Sequence, residues 1–89
     1  MKAVITVIGK DTVGIISKMS YACLKANVNI VDITQKVLDD MFVMIMIVEI
    51  DNLNMKFTDF VDEMSKAGKE INMEVHTMHS DIFNAMHEI

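Results

Sequence analysis

The residues most able to do chemistry lie near the start of the chain, in Gly9-Lys10-Asp11-Thr12-Val13-Gly14-Ile15-Ile16. Two glycines let a backbone turn tightly and approach a ligand closely. A helix beginning after Gly14 would offer unpaired N–H groups, which suit a carboxylate or another anion. Asp11 beside them can accept hydrogen bonds from an ammonium group. A site with both features suits an amino acid. The plainer reading of the same residues is a strand-to-helix connection in which Asp11 or Thr12 caps the helix. The segment is not a P-loop, because no Gly-Lys-Ser/Thr follows, and it lacks the third glycine of a dinucleotide fingerprint.

Asn29 is the second candidate, placed where a helix gives way to a strand. Its carboxamide both donates and accepts, although turn chemistry alone also favours asparagine there. The third candidate is His76-x-x-His79 with His87 and Asp81 nearby, a set that resembles metal ligands. In a regular strand, however, positions three apart point to opposite faces, so polar histidines near an edge are the plainer reading. Cys23 is the only cysteine. It falls in an apolar helical stripe with no basic neighbour to lower its pKa, which predicts a buried, inert thiol. No serine sits in a nucleophile elbow, and no nucleophile, base and oxyanion set assembles. The chain therefore reads as a non-enzyme, and no cofactor or metal is expected.

The elements that must position these residues follow from periodicity. Lys2–Ile8 is a β-branched apolar run that Gly9 is expected to stop. A helix follows to about Ala26, with Ile15, Met19, Ala22, Cys23 and Ala26 at helical spacing. Asn27 suits the left-handed residue that ends it. Val28–Leu38 alternates as a strand, with Val31, Ile33 and Val37 on one side and Asp32, Thr34 and Lys36 on the other. Gln35 interrupts the apolar side. Asp39-Asp40 is a hairpin turn. Met41–Ile50 is apolar on both faces, the mark of a central strand. A second helix spans about Lys56–Lys69, with Phe57, Phe60, Val61, Met64 and Ala67 facing inward. Ile71–Met78 is the last strand, and Asp81–Ile89 reads as a short helix capped by Ser80.

The order βαββαβ predicts an α+β, ferredoxin-like sandwich: a four-stranded antiparallel sheet with two helices on one face. Residues 1–79 form the domain and 80–89 a C-terminal helical tail. The bare sheet face would expose one apolar row of the third strand, and exposed rows of this kind mark interfaces. Edge strands add unpaired N–H and C=O groups. A homodimer follows.

The chain has 89 residues, one domain's worth, and a net charge of -5. So small a core is marginal alone, which strengthens the case for a partner. Its basic residues are all lysine, without the arginine fork that reads phosphates and guanines. An acidic, arginine-free domain is a poor nucleic-acid binder. The ten methionines suit adaptable core packing. The longest apolar run, Met41–Val48, is too short to span a bilayer, no secretory leader is evident, and a single cysteine fits a reducing compartment. A cytoplasmic protein is expected.

The glycine segment after a strand, followed by Ala26-Asn27-Val28-Asn29-Ile30-Val31-Asp32-Ile33, resembles the ACT-domain signature across about residues 2–78. The nearest resemblance is to small stand-alone ACT proteins of bacteria and archaea, relatives of the ACT domains in the glycine-cleavage regulator and formyltetrahydrofolate deformylase. The resemblance implies a regulatory module that binds amino acids or other small metabolites. It also implies side-by-side pairing into an eight-stranded sheet with ligand at the interface. Carried onto this sequence, the ligand-binding positions are Gly9, Asp11, Gly14 and Ile15, then Asn29 and Ile30. Thr12-Val13 stands where proline or arginine often precedes the second glycine, and the module is expected to act without a catalytic or DNA-binding domain of its own. Action in trans on a regulated partner protein is one expectation. The alternative is a ligand-free dimerisation adaptor that holds a partner through the apolar sheet face or the tail.

Overall fold

The computed structural model describes residues 1–87, with side chains through Asn84. The elements run β1 (Lys2–Lys10), α1 (Ile15–Lys25), β2 (Asn29–Leu38), β3 (Met41–Glu49), α2 (Phe57–Lys69), β4 (Met73–His79) and α3 (Ser80–His87). The four strands form one antiparallel sheet in the order β2-β3-β1-β4. This is the ferredoxin-like arrangement expected from the element order.

Alternation decides the core. Ala3, Ile5 and Val7 of β1, and Phe42, Met44, Met46 and Val48 of β3, point to the same side of the sheet. There they meet Ile15, Met19 and Cys23 of α1 and Phe60, Met64 and Ala67 of α2 in one continuous cluster. Met19, Met44, Met46 and Met64 are essentially inaccessible. The unbranched methionine chain fills irregular gaps, so these methionines serve packing.

Several local expectations change. β1 does not stop at Gly9 but continues to Lys10, because Gly9 pairs with both Phe42 and Met73. A Cβ at Gly9 would lie 2.8 Å from Met73 Sδ and 2.9 Å from the Asn72 carbonyl oxygen. Glycine here permits close packing of neighbouring strands. β4 begins at Met73 rather than Ile71, after a turn in which Asn72 takes a φ of 58°. β2 carries a bulge: Ile30 pairs with Val48 and Asp32 with Ile47, leaving Val31 unpaired. The bulge puts Ile30 on the core side with Ile33 and leaves Val31 exposed. Strict alternation had assigned Val31 to the core.

Helix and turn ends match the expected chemistry. Asn27 closes α1 with a φ of 60°, and its Nδ2 donates to the Asn52 carbonyl at 2.8 Å. Asp39 takes a φ of 58° in the β2–β3 turn.

The far face of the sheet is only partly bare. α3 turns back against β1 and β4. Val4 points away from the helix-side core yet is only 3% exposed, which places α3 over that corner.

Candidate ligand site

The loop from Asp11 to Gly14 joins the end of β1 to the start of α1. Two bonds hold it. The Asp11 N–H donates to the Asp40 carbonyl at 2.7 Å, tying the loop to the β2–β3 turn. The Lys18 N–H donates to the Gly14 carbonyl at 2.9 Å, opening the helix. Gly14 is the N-cap, with φ 91° and ψ 7° in the left-handed region, where any side chain is strained. No side chain caps the helix, so neither Asp11 nor Thr12 takes the capping role that the plainer sequence reading gave them. The first turn of α1 therefore keeps N–H groups without intrahelical or side-chain partners.

These groups border a shallow groove of about 360 Å³ lined by Asp11, Thr12, Gly14, Ile15, Ile16, Ser17, Gln35 and Phe42. Asp11 is exposed, while Ile15 is buried and anchors the helix in the core. A second recess of about 400 Å³ lies across the loop, bounded by Lys10, Asp11, Thr12, Val13, Ile71 and Asn72. The groove accounts for Gln35. It lies on the helix side of β2, opposite Met44, where an apolar residue is expected. It is exposed because that stretch faces the groove instead of the core. Its break in the alternation was the visible signal that this position belongs to a surface.

Asn29 and Ile30 stand elsewhere. Asn29 opens β2, exposed and opposite Glu49, beside a recess of about 220 Å³ formed with Leu24, Asn27, Val28 and Asn52. Ile30 packs against the core. The loop adjoins the other end of β2, through Asp40. Nine strand steps separate Asn29 from Leu38, roughly 30 Å. Within one chain the structure brings Asp11, Gly14 and Ile15 together and leaves Asn29 and Ile30 at the far end of the sheet. Gly9 lies in β1 behind the loop.

The remaining candidates take separate places. His76 is on the far sheet face, its Nε2 3.0 Å from Glu74 Oε1. His79 is on the helix side, its ring edge-on to Phe57 at 6.1 Å, and its Nδ1 accepts from the Asp81 N–H at 3.2 Å. The side chain of His87 lies outside the described residues. Among the described residues no three histidines, cysteines or carboxylates gather as a metal-ligand group. Cys23 is buried, and burial pushes its thiol up to about 11. A thiol in this state is a poor nucleophile at neutral pH.

The sequence reading did not foresee the cleft of about 290 Å³ between α1 and α2, where Lys18, Lys25 and Lys66 surround Ala22, Ala26 and Ala67. Lys18 Nζ pairs there with Glu70 Oε2 at 3.2 Å, and Lys25 lies over the Tyr21 ring at 5.3 Å. Its lysines fall between the apolar positions of the helical stripes, where they read as ordinary solvated charge.

The ACT domain family model matches residues 2–78. The chain belongs to the ACT domain family. A UPF0237 protein of Listeria innocua is 39% identical over the full length of both chains. A UPF0237 protein of Methanocaldococcus jannaschii is 41% identical over 99% of this chain and 98% of its own. The ACT domain protein from Streptococcus pneumoniae superimposes with a TM-score of 0.82 at 36% identity, over 93% of each chain. A formyltetrahydrofolate deformylase from Pseudomonas syringae shares the fold at a TM-score of 0.78, with 20% identity over 88% of this chain and 27% of its own. Among the described residues, no helix of this ACT domain is long and apolar enough to cross a membrane.

Proposed function

We propose that this ACT domain is a cytoplasmic regulatory module, not an enzyme, that binds an amino acid as a homodimer. The observation that carries the reading is the uncapped start of α1 beside the exposed Asp11 carboxylate. The helix N–H groups would receive the ligand carboxylate, and Asp11 its ammonium group. Gly14 holds the backbone in the conformation that opens the turn.

The distant position of Asn29 supports the homodimer in this reading. β2 is an edge strand with an unpaired outer side. Two copies joined antiparallel through β2, with the two-fold axis at Thr34, set Asp32 opposite the partner's Lys36. Opposite charges facing across a strand pair stabilise it by about 0.2–1 kcal/mol. In the same register Asn29 falls beside the partner's Asp39-Asp40 turn, whose carbonyl holds the Asp11 loop. Two half-sites 30 Å apart in one chain thus become one site per loop in the pair. A ligand bridging the copies would favour the paired state and transmit its presence to a regulated partner protein.

Isothermal titration against the common amino acids tests the proposal, with Asp11→Ala and Asn29→Ala as comparisons. One amino acid is expected to release heat, and each substitution to weaken it by about tenfold or more, the loss of one charge-assisted bond. No heat with any amino acid defeats the amino-acid reading. The second reading, a ligand-free adaptor, draws on the exposed Ile8, Leu38, Met41 and Ile45. It predicts a protein partner whose capture depends on that face or on residues 80–89.

A further inference from the structure

We infer that the groove between α2 and the free edge of β4 receives the C-terminal segment of a partner polypeptide. The segment adds as an antiparallel fifth strand and carries a basic residue about three positions before its end. The sheet order leaves β4 with β1 as its one neighbour, so alternate N–H and C=O groups along its outer side have no strand to pair with. Beside that edge runs a groove of about 740 Å³, against about 360 Å³ for the groove at the start of α1. Val61, Asp62, Ser65 and Lys69 of α2 form its wall, and β4 forms its floor. The two edges of the sheet differ. The edge of β2 is interrupted by the bulge at Val31, whereas β4 pairs with β1 in unbroken register from Met73 to His79. An even edge flanked by a helix lets an extended peptide take main-chain bonds from the strand and side-chain contacts from the helix.

Charge chooses the occupant and its direction. Asp62 and Lys69 stand seven residues apart on one flank of α2, about 10 Å along the helix. Both are exposed, and among the described residues neither is ion-paired. α2 runs antiparallel to β4, since Phe57 meets the His79 ring and Gly68 lies against Val75. Lys69 therefore marks the Met73 end of the groove, and Asp62 stands toward Thr77. Asn72 follows at the Lys69 end, exposed and with a φ of 58°, and adds a carboxamide there. An ammonium and a carboxamide together suit a terminal carboxylate.

A strand antiparallel to β4 reaches that end with its C-terminus. An extended chain rises about 3.4 Å per residue, so about three residues lead back from the carboxylate to Asp62. A lysine at that position lays its stem along the half-buried Val61 and sets its ammonium on Asp62. The other charged groups on the groove, Glu74 and His76, lie on the far face of the sheet and engage each other at 3.0 Å. Main-chain pairing is open to any extended sequence, so the two charged ends set the preference. The groove shares no lining residue with the one at the start of α1, and its occupation does not depend on the amino-acid reading.

Fluorescence anisotropy tests this with one defined probe, the peptide Gly-Thr-Lys-Val-Thr-Val, labelled at its N-terminus and carrying a free C-terminal carboxylate. The full chain is expected to bind it saturably. Amidation of the peptide, Lys69→Gln and Asp62→Asn are each expected to weaken binding by about threefold to tenfold, the loss of one exposed charge contact. The amidated peptide should no longer respond to Lys69→Gln. Asp62→Lys should prefer Gly-Thr-Glu-Val-Thr-Val, the reverse of the unmodified chain. Asp62 and Lys69 are exposed, so none of these substitutions opens the core. Absence of saturable binding up to millimolar chain overturns the inference, as does binding indifferent to both amidation and Lys69→Gln. Amide chemical shifts of the isotope-labelled chain then locate the peptide. Changes along 73–78 and the 61–69 flank are expected. Changes confined to β2 place the peptide on the other edge and overturn the site.

Discussion

The two faces of β3 are built from the same chemistry and meet different fates. Phe42, Met44, Met46 and Val48 are buried beneath α1 and α2, whereas Met41, Val43, Ile45 and Ile47 point the other way and are exposed or half-buried. Hydropathy does not separate the two rows. What separates them is that α1 and α2 both cross on one side, while α3 covers only the corner of the other around Val4. An apolar side chain stabilises a fold in proportion to the area that neighbours remove from water. The row without helices stays largely in contact with water and so contributes less.

Truncation should expose that difference most plainly. Met46→Ala is expected to cost about 2–5 kcal/mol in urea unfolding, because it leaves a cavity in a closed core. Ile45→Ala should cost about 1 kcal/mol or less, because Ile45 is 37% exposed and loses little burial. Equal losses in dilute solution would erase the distinction between the faces.

The covered face also makes a prediction about pH. Burial holds the Cys23 thiol protonated, raising its pKa from 9.0 to about 11. The unfolded chain releases this proton first, so folding stability should fall as pH rises from about 9 to 11 and level off above. The loss is of order 2–3 kcal/mol. Chemical denaturation at stepped pH, compared with Cys23→Ala, isolates this contribution. A slope unchanged by the substitution would mean that α1 does not seal the thiol from water.

Effects smaller than that of Met46→Ala distinguish the two glycines of the first motif. Gly9→Ala should destabilise by about 1–3 kcal/mol, since its Cβ would collide with Met73 and the Asn72 carbonyl. Gly14→Ala should cost about 1–2 kcal/mol from its left-handed backbone alone, because nothing lies within 4 Å of its Cβ. Gly9→Ala should leave the loop's accessibility unchanged, whereas Gly14→Ala should slow or alter it, as proteolysis near Thr12-Val13 would report. Matching losses with matching loop behaviour would mean that both glycines serve the same purpose.

The sequence by itself determined the order of elements, the inward stripes of α1 and α2, the two-sided apolarity of β3 and the end of α1 at Asn27. Each is a local property, carried by a period of 2 or 3.6 residues or by the left-handed tolerance of one side chain. It also marked Asp11 and Gly14 as neighbours, because three residues of loop cannot separate them far. Only the tertiary structure decided the rest. The bulge at Val31 shifts Ile30 to the core, a change of register that alternation within β2 cannot contain. The cap of α1 passed from Asp11 and Thr12 to Gly14, because the Asp11 backbone is held by Asp40 across the sheet. Gln35 faces a groove that exists only where the β1–α1 loop overhangs β2. Asn29, grouped with the loop by the family resemblance, stands at the opposite end of the sheet, because the ten residues of β2 set its two ends roughly 30 Å apart. Coverage of a face, like proximity across a sheet, depends on where the chain returns, and no window of neighbouring residues records that.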